Sequence, residues 1–298
     1  VPAKIKSYLR IGIHTSTAGS LEKAALKAAE LGANTFQIFS ASPRMWRARV
    51  PGELEIRMLK MAREQLDLTP LVVHDSYLIN LAACDPEIRR KSIDAFRGEI
   101  ERAIAIGAEY LVAHPGSCKG QTPEAAIEVL LDSLEEAARG IRSTTFTLLW
   151  ENTAGAGGSL GGRFEELAEI GKRSAERVDF AVGYCLDTCH CLVSGYDIAS
   201  QEGLRGTIKQ AAELLGLDNV KVIHANDSKG KLGSRLDRHQ HIGEGFIGEE
   251  GFRRILTHPK LRTKPFILET PVDKPGDDLR NVEALKRLCR KSPTITKQ

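Results

Sequence analysis

The stretch Gly183-Tyr184-Cys185-Leu186-Asp187-Thr188-Cys189-His190 decides how the chain is read. It has the pattern of a short buried strand, residues 183–187, that stops abruptly on side chains able to bind a metal. Asp187 and His190 lie three residues apart where the apolar run ends. An Asp and a His at a strand-to-loop junction can ligate a divalent ion or act as an acid/base pair. Asp-x-x-His alone is a cheap pattern. Its weight comes from recurrence, because along this chain an apolar run is repeatedly followed by His, Glu or Asp.

Outward from this stretch, apolar strands and amphipathic helices alternate. Strands are predicted over residues 10–14, 35–39, 70–74, 110–114, 146–151, 183–187, 220–224 and 265–269. Helices are predicted over 21–30, 53–67, 86–106, 123–140, 164–173, 203–216, 248–257 and 277–290. Ser20 caps the first helix, Pro123 opens the fourth, and Gly32 and Gly107 stop the first and third. Residues 291–298 are expected to fray. Near-continuous apolar strands separated by helices indicate a parallel sheet covered on both faces. Eight such units, with nothing left over for a second domain, close most simply as a single-domain α/β (β/α)8 TIM barrel over residues 1–290. An open doubly wound sheet is the alternative. It would call for Gly-x-Gly-x-x-Gly after the first strand, whereas Gly12 lies within that strand. The glycine-rich run at 155–162 has no Lys-Ser/Thr pair, so it is expected to be a flexible loop beside a site rather than a phosphate cradle.

At 298 residues the chain can bury a large core, and its formal net charge of +3 permits an anionic partner without requiring one. No apolar run approaches the roughly 20 residues of a membrane span, so no membrane partner is expected. The N-terminal Val-Pro-Ala-Lys-Ile-Lys-Ser-Tyr lacks a signal-peptide apolar region. Six cysteines do not make a disulfide scaffold in a chain this long, and a cytoplasmic location is expected. Cys185, Cys189 and Cys191 cluster, so a thiolate site must be weighed. On strand alternation Cys185 shares a face with Asp187, and it reads as a small core residue rather than a ligand.

In a barrel all strand C-termini lie on one face, where active sites are built. Those ends carry His14, His74 with Asp75, His114, Glu151, Asp187 with His190, His224 followed by Asp227, and Glu269. Asp237, His239 and His241 stand in the loop after the seventh strand. A lone His after a strand is more often a satisfied core or capping residue than a ligand. The opposite strand ends carry none of this chemistry, which argues against that bland account for the whole set. Uncompensated, so many buried carboxylates and imidazoles would be costly, and divalent ions offset the cost. One ion uses three or four ligands, so two or three ions are implied, with Glu151 or Glu269 able to bridge. Mixed nitrogen and oxygen ligation suits zinc and admits Mn2+ or Fe2+. Clustered ions attract a phosphate and clamp the attacking and leaving oxygens of its displacement. The loops add Arg44, Trp46, Arg47 and Arg49, then Tyr77 and Leu78, then Lys229, Lys231, Arg235 and Arg238. Basic groups hold phosphates, and Trp, Tyr and Leu can wedge into a base stack. Taken alone, these charges are as well explained by solvation, and Trp46 by packing beneath its loop.

At this point the chain resembles a known family. His74-Asp-Ser-Tyr-Leu-Ile-Asn80, His114-Pro-Gly-Ser117, Glu151-Asn-Thr-Ala-Gly155, Leu186-Asp-Thr-Cys-His190, His224-Ala-Asn-Asp-Ser-Lys229, Gly233-Ser-Arg-Leu-Asp-Arg-His239, Gly243-Glu-Gly-Phe-Ile-Gly248 and Leu268-Glu-Thr270 carry the likeness. They resemble the endonuclease IV family of apurinic/apyrimidinic (AP) endonucleases, over residues 9–283. The resemblance implies a (β/α)8 barrel, three Zn2+ ions and incision of duplex DNA 5′ to abasic sites. The products would be a 3′-hydroxyl and a 5′-deoxyribose phosphate, with trimming of blocked 3′ ends as a related activity. It implies that His74, His114 and Glu151 hold one zinc. Glu151 would bridge to a second, held by Asp187, His224 and Glu269. Asp237, His239 and His190 would hold the third. Glu151 and Glu269 would be the catalytic carboxylates. Tyr77 and Arg44 match the family's DNA-penetrating positions, with Leu78 beside them, and Trp46, Lys229 and Arg238 are further expected DNA contacts. A monomer, associated with the nucleoid through DNA, is expected. Cys189 and Cys191 flank His190 and are expected to make the third site oxidation-sensitive, while His241 stays outside the ligand set. Two rivals stand: a sugar isomerase with one or two metals, and a lesion-binding protein whose metals are structural.

Overall fold

The computed structural model of the chain describes residues 9–117 and 119–289. The expectation of a frayed tail at 291–298 lies outside the described residues. The barrel strands are β1 (Ile11–His14), β2 (Thr35–Phe39), β3 (Leu71–His74), β4 (Tyr110–Ala113), β5 (Arg142–Glu151), β6 (Asp179–Asp187), β7 (Val220–His224) and β10 (Phe266–Leu268). Strands β8 (Asp227–Ser228) and β9 (His239–Gln240) form a small antiparallel ribbon above the barrel. The helices are α1 (Leu21–Glu30), α2 (Glu53–Gln65), α3 (Pro86–Ile106), α4 (Pro123–Ala138), α5 (Phe164–Ala175), α6 (Thr188–Ser194), α7 (Gln201–Leu214), α8 (Gly248–Thr257) and α9 (Asp277–Leu288). The eight barrel strands pair in parallel, each with its sequence neighbour, and β10 closes onto β1 through Ile11–Phe266, Gly12–Ile267 and Ile13–Leu268. The open-sheet alternative is thereby removed.

Local sequence explains the boundaries. Asp85 accepts from the amides of Glu87 at 2.8 Å and Ile88 at 2.9 Å, with Pro86 at the first position of α3. Gly107 ends the same helix at φ 72°, where a side chain would be strained. Two buried layers result. The larger lies between helices and sheet and includes Phe36, Phe96, Trp150, Phe164, Phe252 and Phe266. The smaller fills the barrel interior with Val72, Val112, Leu149, Cys185, Val222 and Ile267. Cys185 is thus a core residue.

Alternation along a strand turns this plug into a pedestal. Two residues beyond each plug residue, on the same face, stand His74, His114, Glu151, Asp187, His224 and Glu269.

Several expectations need correction. β5 and β6 begin earlier than 146 and 183, extending outward as a pair from Arg142 and Asp179; residues 142–145 are polar and largely exposed, while residues 180–182 are apolar with Phe180 buried. The short helix α6 follows β6 with no intervening loop. Asp187 caps it by accepting the His190 amide at 2.7 Å, and its seven residues are too few for apolar periodicity to reveal. The β8–β9 ribbon has no alternating pattern to betray it. The run at 155–162 is not a slack loop: Thr153 Oγ1 donates to the Leu160 carbonyl at 2.8 Å, and Ser159 bridges to Ser117.

The long loop from β7 to α8 is held by Asp227. Its carboxylate accepts from the amides of Ser228, Gly243, Gly245, Ile247 and Gly248 at 2.8 to 3.2 Å. At Gly245 a Cβ would strike that carboxylate. Asp227, which stands past a strand end like the expected ligands, therefore serves the loop and not the cluster. Asp227→Ala leaves buried N–H groups without an acceptor, a cost of roughly 3 kcal/mol. A melting temperature lowered by about 5 °C or more is expected in thermal denaturation, and an unchanged value would contradict this role.

Candidate metal centre

The cluster is centred on Glu151, which is 1% exposed at the end of β5. Its Oε2 lies 3.2 Å from His74 Nε2 and 3.3 Å from His114 Nε2. Its Oε1 lies 2.8 Å from His224 Nδ1 and 3.5 Å from His190 Nδ1. One carboxylate therefore faces imidazoles from β3, β7, α6 and the β4–α4 loop. Glu269 Oε2 approaches His224 Nδ1 at 3.2 Å. Asp187, wholly buried, turns Oδ2 toward His239 Nε2 at 3.7 Å while Oδ1 caps α6. Asp237, in the exposed loop before β9, brings Oδ1 to 3.3 Å from His190 Nε2 and 3.9 Å from His239 Nε2.

Ligand-capable atoms converge in groups that share members. His74, His114 and Glu151 form one, Glu151, Asp187, His224 and Glu269 a second, and Asp187, His190 and His239 a third. Asp237 and His239 also meet the buried Cys189. All nine sequence-expected ligand positions thus stand together. His241 stands apart, its Nδ1 accepting from Asn281 at 3.0 Å.

The donor chemistry fits cations. His239 Nε2 is buried and has no hydrogen-bond partner among the described residues, while Nδ1 is tied to the Glu269 carbonyl at 3.1 Å. His190 and His74 are anchored likewise, through Nδ1, on the carbonyls of Asn152 at 2.9 Å and Asp75 at 3.0 Å. A backbone acceptor fixes the tautomer and leaves the other nitrogen's lone pair for a metal. The electrostatics agree. Burial pushes Glu151 up, but His224 and His114 outweigh it and hold the carboxyl well below the usual range. Glu269 is likewise raised by burial yet held down to about 2 by His224 and other imidazoles. Contact with His190 holds Asp237 at about 2. Burial pushes His74 down, but hydrogen bonds with Asp75 and Glu151 lift it well above its ordinary value. His190 is lifted the same way by Asp187 and Asp237 against burial. Imidazoles drawn toward protonation mark a site that calls for positive charge.

Sequence reading missed three buried amides that orient the cluster. Asn152 Oδ1 accepts the Asp187 amide at 2.7 Å. Asn226 donates to Asp187 Oδ2 at 2.6 Å and accepts the Glu269 amide at 2.8 Å. Gln37 donates to Glu269 Oε1 at 2.6 Å. Gln37 falls in phase with His14 and the interior, and a polar residue within a strand read as apolar was the available signal. The cysteines depart from expectation too. Cys189 and Cys191 are 0% and 3% exposed, and burial pushes the Cys189 thiol up to about 12. Both are shielded from the oxidants expected to reach them.

Around the mouth, Tyr77 is 73% exposed and its ring packs edge-on against Phe39 at 5.2 Å. Lys229 and Arg238 line a cavity of about 420 Å³ above the cluster together with Tyr77 and Glu269. Arg44 lines the neighbouring groove instead. Trp46 and Leu78 are half-buried and line neither. Met45, Val50, Leu232, Phe246 and Val272 are exposed apolar side chains in the loops that follow β2, β7 and β10.

Barrel and cluster together define a class. The xylose isomerase-like TIM barrel family matches residues 25–291. A D-tagatose 3-epimerase-like protein shares the fold at 21% identity and a TM-score of 0.66, over 94% of this chain and 96% of its own. Within that class the likeness narrows. A probable endonuclease 4 from Solibacter usitatus is 62% identical over 281 residues, 94% of this chain and 97% of that one. The crystal structure of endonuclease IV from Thermus thermophilus superposes with a TM-score of 0.81 at 41% identity, covering 94% and 98% of the two chains. The chain belongs to the endonuclease 4 (endonuclease IV) family.

Glu151→Gln weakens the two groups that share its carboxylate, whereas Asp237→Ala touches only the outermost. Metal analysis after dialysis should show a loss of more than one ion per chain for Glu151→Gln and at most one for Asp237→Ala. Equal losses would contradict a shared Glu151.

Proposed function

We propose that this chain cleaves the phosphodiester 5′ to an abasic deoxyribose in duplex DNA, leaving a 3′-hydroxyl and a 5′-deoxyribose phosphate. Kinship with endonuclease 4 supports a nuclease of DNA repair. The finer reading is carried by Glu151, shared by four imidazoles, three of which (His74, His114 and His190) line an open cavity. The three overlapping groups would hold three Zn2+, with Mn2+ or Fe2+ admitted by the same nitrogen and oxygen donors. When bound, such ions supply Lewis acidity to a phosphoryl group and acidify water, the two needs of in-line displacement.

The chain's own residues do the rest. Glu151 and Glu269, held ionised, are the carboxylates in place to act at the reacting phosphate. Gln37 and Asn226 fix the orientation of Glu269. A cavity of about 420 Å³ suits one extruded sugar-phosphate unit, and a missing base lowers the cost of unstacking it. Tyr77, braced by Phe39, is the wedge at the rim, with Leu78 behind it. Lys229 and Arg238 meet phosphates beside the cavity, and Arg44 with Trp46 serves the adjoining strand. The same open mouth would admit blocked 3′ ends for trimming. One chain supplies every ligand, so a monomer suffices. Among the described residues no helix is long and apolar enough to cross a membrane.

A sugar isomerase shares the barrel but has no need of a group built on Asp237 and His239, nor of an exposed Tyr77 beside basic residues. Incubation with an oligonucleotide duplex bearing one abasic site should give a nick on its 5′ side, abolished by strong chelation and restored by zinc. An intact duplex with metal-replete protein would sink the nuclease reading. Tyr77→Ala should lower the preference for abasic over intact duplex about tenfold in competition binding while metal content stays constant. Unchanged preference would count against the wedge.

A further inference from the structure

Gln37 lies on β2, wholly buried at the level of the cluster, although β2 brings no ligand to it. Its amide has one workable orientation. Glu269 Oε1, 2.6 Å away, can only accept, so the Gln37 nitrogen must face it. The Gln37 oxygen then faces His224 Nε2 at 2.9 Å, which places that imidazole's proton on Nε2. His224 Nδ1, toward Glu151 and Glu269, is left free. The other hydrogen on the Gln37 nitrogen points to His14 Nδ1 at 3.1 Å. His14 Nδ1 therefore accepts, and the proton of this neutral ring sits on Nε2. Burial, which pushes the His14 imidazole down to about 4, favours the same state.

His14 lines a groove of about 900 Å³ between the β1–α1 and β2–α2 loops, beside the cavity over the cluster. The Phe39 ring lies 4.4 Å from its imidazole, and Nε2 finds no partner among the described residues. Thr15, in the same wall, is 4% exposed and its hydroxyl also lacks a partner among the described residues. Ser42 and Arg44 add further donors. The carboxylate in this wall, Asp278, faces Lys27 at 3.8 Å. The lining mixes apolar side chains, Phe39, Pro43 and Val272 among them, with donors, and the Arg44 guanidinium among those donors suits a phosphodiester.

We propose that His14 is a further DNA contact in this groove, donating its Nε2–H to a backbone phosphate oxygen, and that Gln37 positions that donor together with Glu269 and His224. The proposal rests on the DNA-cleaving reading above and adds a contact to it. Gln37 then links strand binding in the groove to the geometry of the cluster through one amide.

The test uses the metal-loaded full chain and an abasic duplex. His14→Phe keeps a ring beside Phe39 but removes the donor. It should raise KM about ten- to a hundredfold, more than it lowers kcat, with Kd for the nicked product duplex rising in parallel. Metal per chain should not change. His14→Gln, whose amide reaches the place of Nε2, should return KM to within a few-fold of the parent. Gln37→Leu should raise KM and also ease metal loss in a chelator titration. Wild-type KM and Kd in His14→Phe would overturn the proposal, as would metal loss in that variant, or a His14→Gln no better than His14→Phe. If the parent chain itself neither nicks nor binds the abasic duplex, the DNA reading fails. If the parent nicks and His14→Phe is unaffected, only the groove fails.

Discussion

A carboxylate that is 1% exposed must find positive charge, and Glu151 finds it by facing four imidazoles at once. Burying that group unpaired would be prohibitive. Three of the four, His74, His190 and His224, are in turn anchored on a backbone or amide oxygen or pressed against a second carboxylate. The result is a lattice of acceptors and lone pairs with too little positive charge of its own. Divalent ions are the natural completion, and the sharing of Glu151 and Asp187 between groups makes the sites one unit rather than several.

The barrel meets that demand by strand geometry. Six side chains of an apolar plug occupy the interior, and the next inward position, at or just past the end of the same strand, carries a metal-competent His, Glu or Asp. Hydrophobic burial below thus sets the height and direction of the cluster above. Buried amides then set its orientation: Asn152 and Asn226 on Asp187, Gln37 on Glu269. Asp237 comes from an exposed loop, and Tyr77, Lys229 and Arg238 stand around the rim.

Most of this order was legible in sequence because it repeats. Apolar runs ending in His, Glu or Asp located the strands together with the side chains that cluster above them, and the bounds of β2, α1, α3, β7 and α8 coincide with the periodicity. What escaped has local causes. Helix α6 is two turns long, and its cap, Asp187, already reads as a ligand in the sequence. The β8–β9 ribbon is two residues a side. Gln37 looked like a polar interruption of an apolar strand, and only three-dimensional closure brings it to Glu269. Burial decided Cys185, Cys189 and Cys191, which adjacency to His190 could not.

The most direct measurement is anomalous scattering at the zinc edge from crystals of the zinc-loaded chain. Three maxima are expected. One should lie between His74, His114 and Glu151, a second among Glu151, Asp187, His224 and Glu269, and a third between His190, His239 and the two aspartates Asp187 and Asp237. A single maximum, or maxima that leave Glu151 outside ligand distance, would contradict a shared metal centre built on that carboxylate.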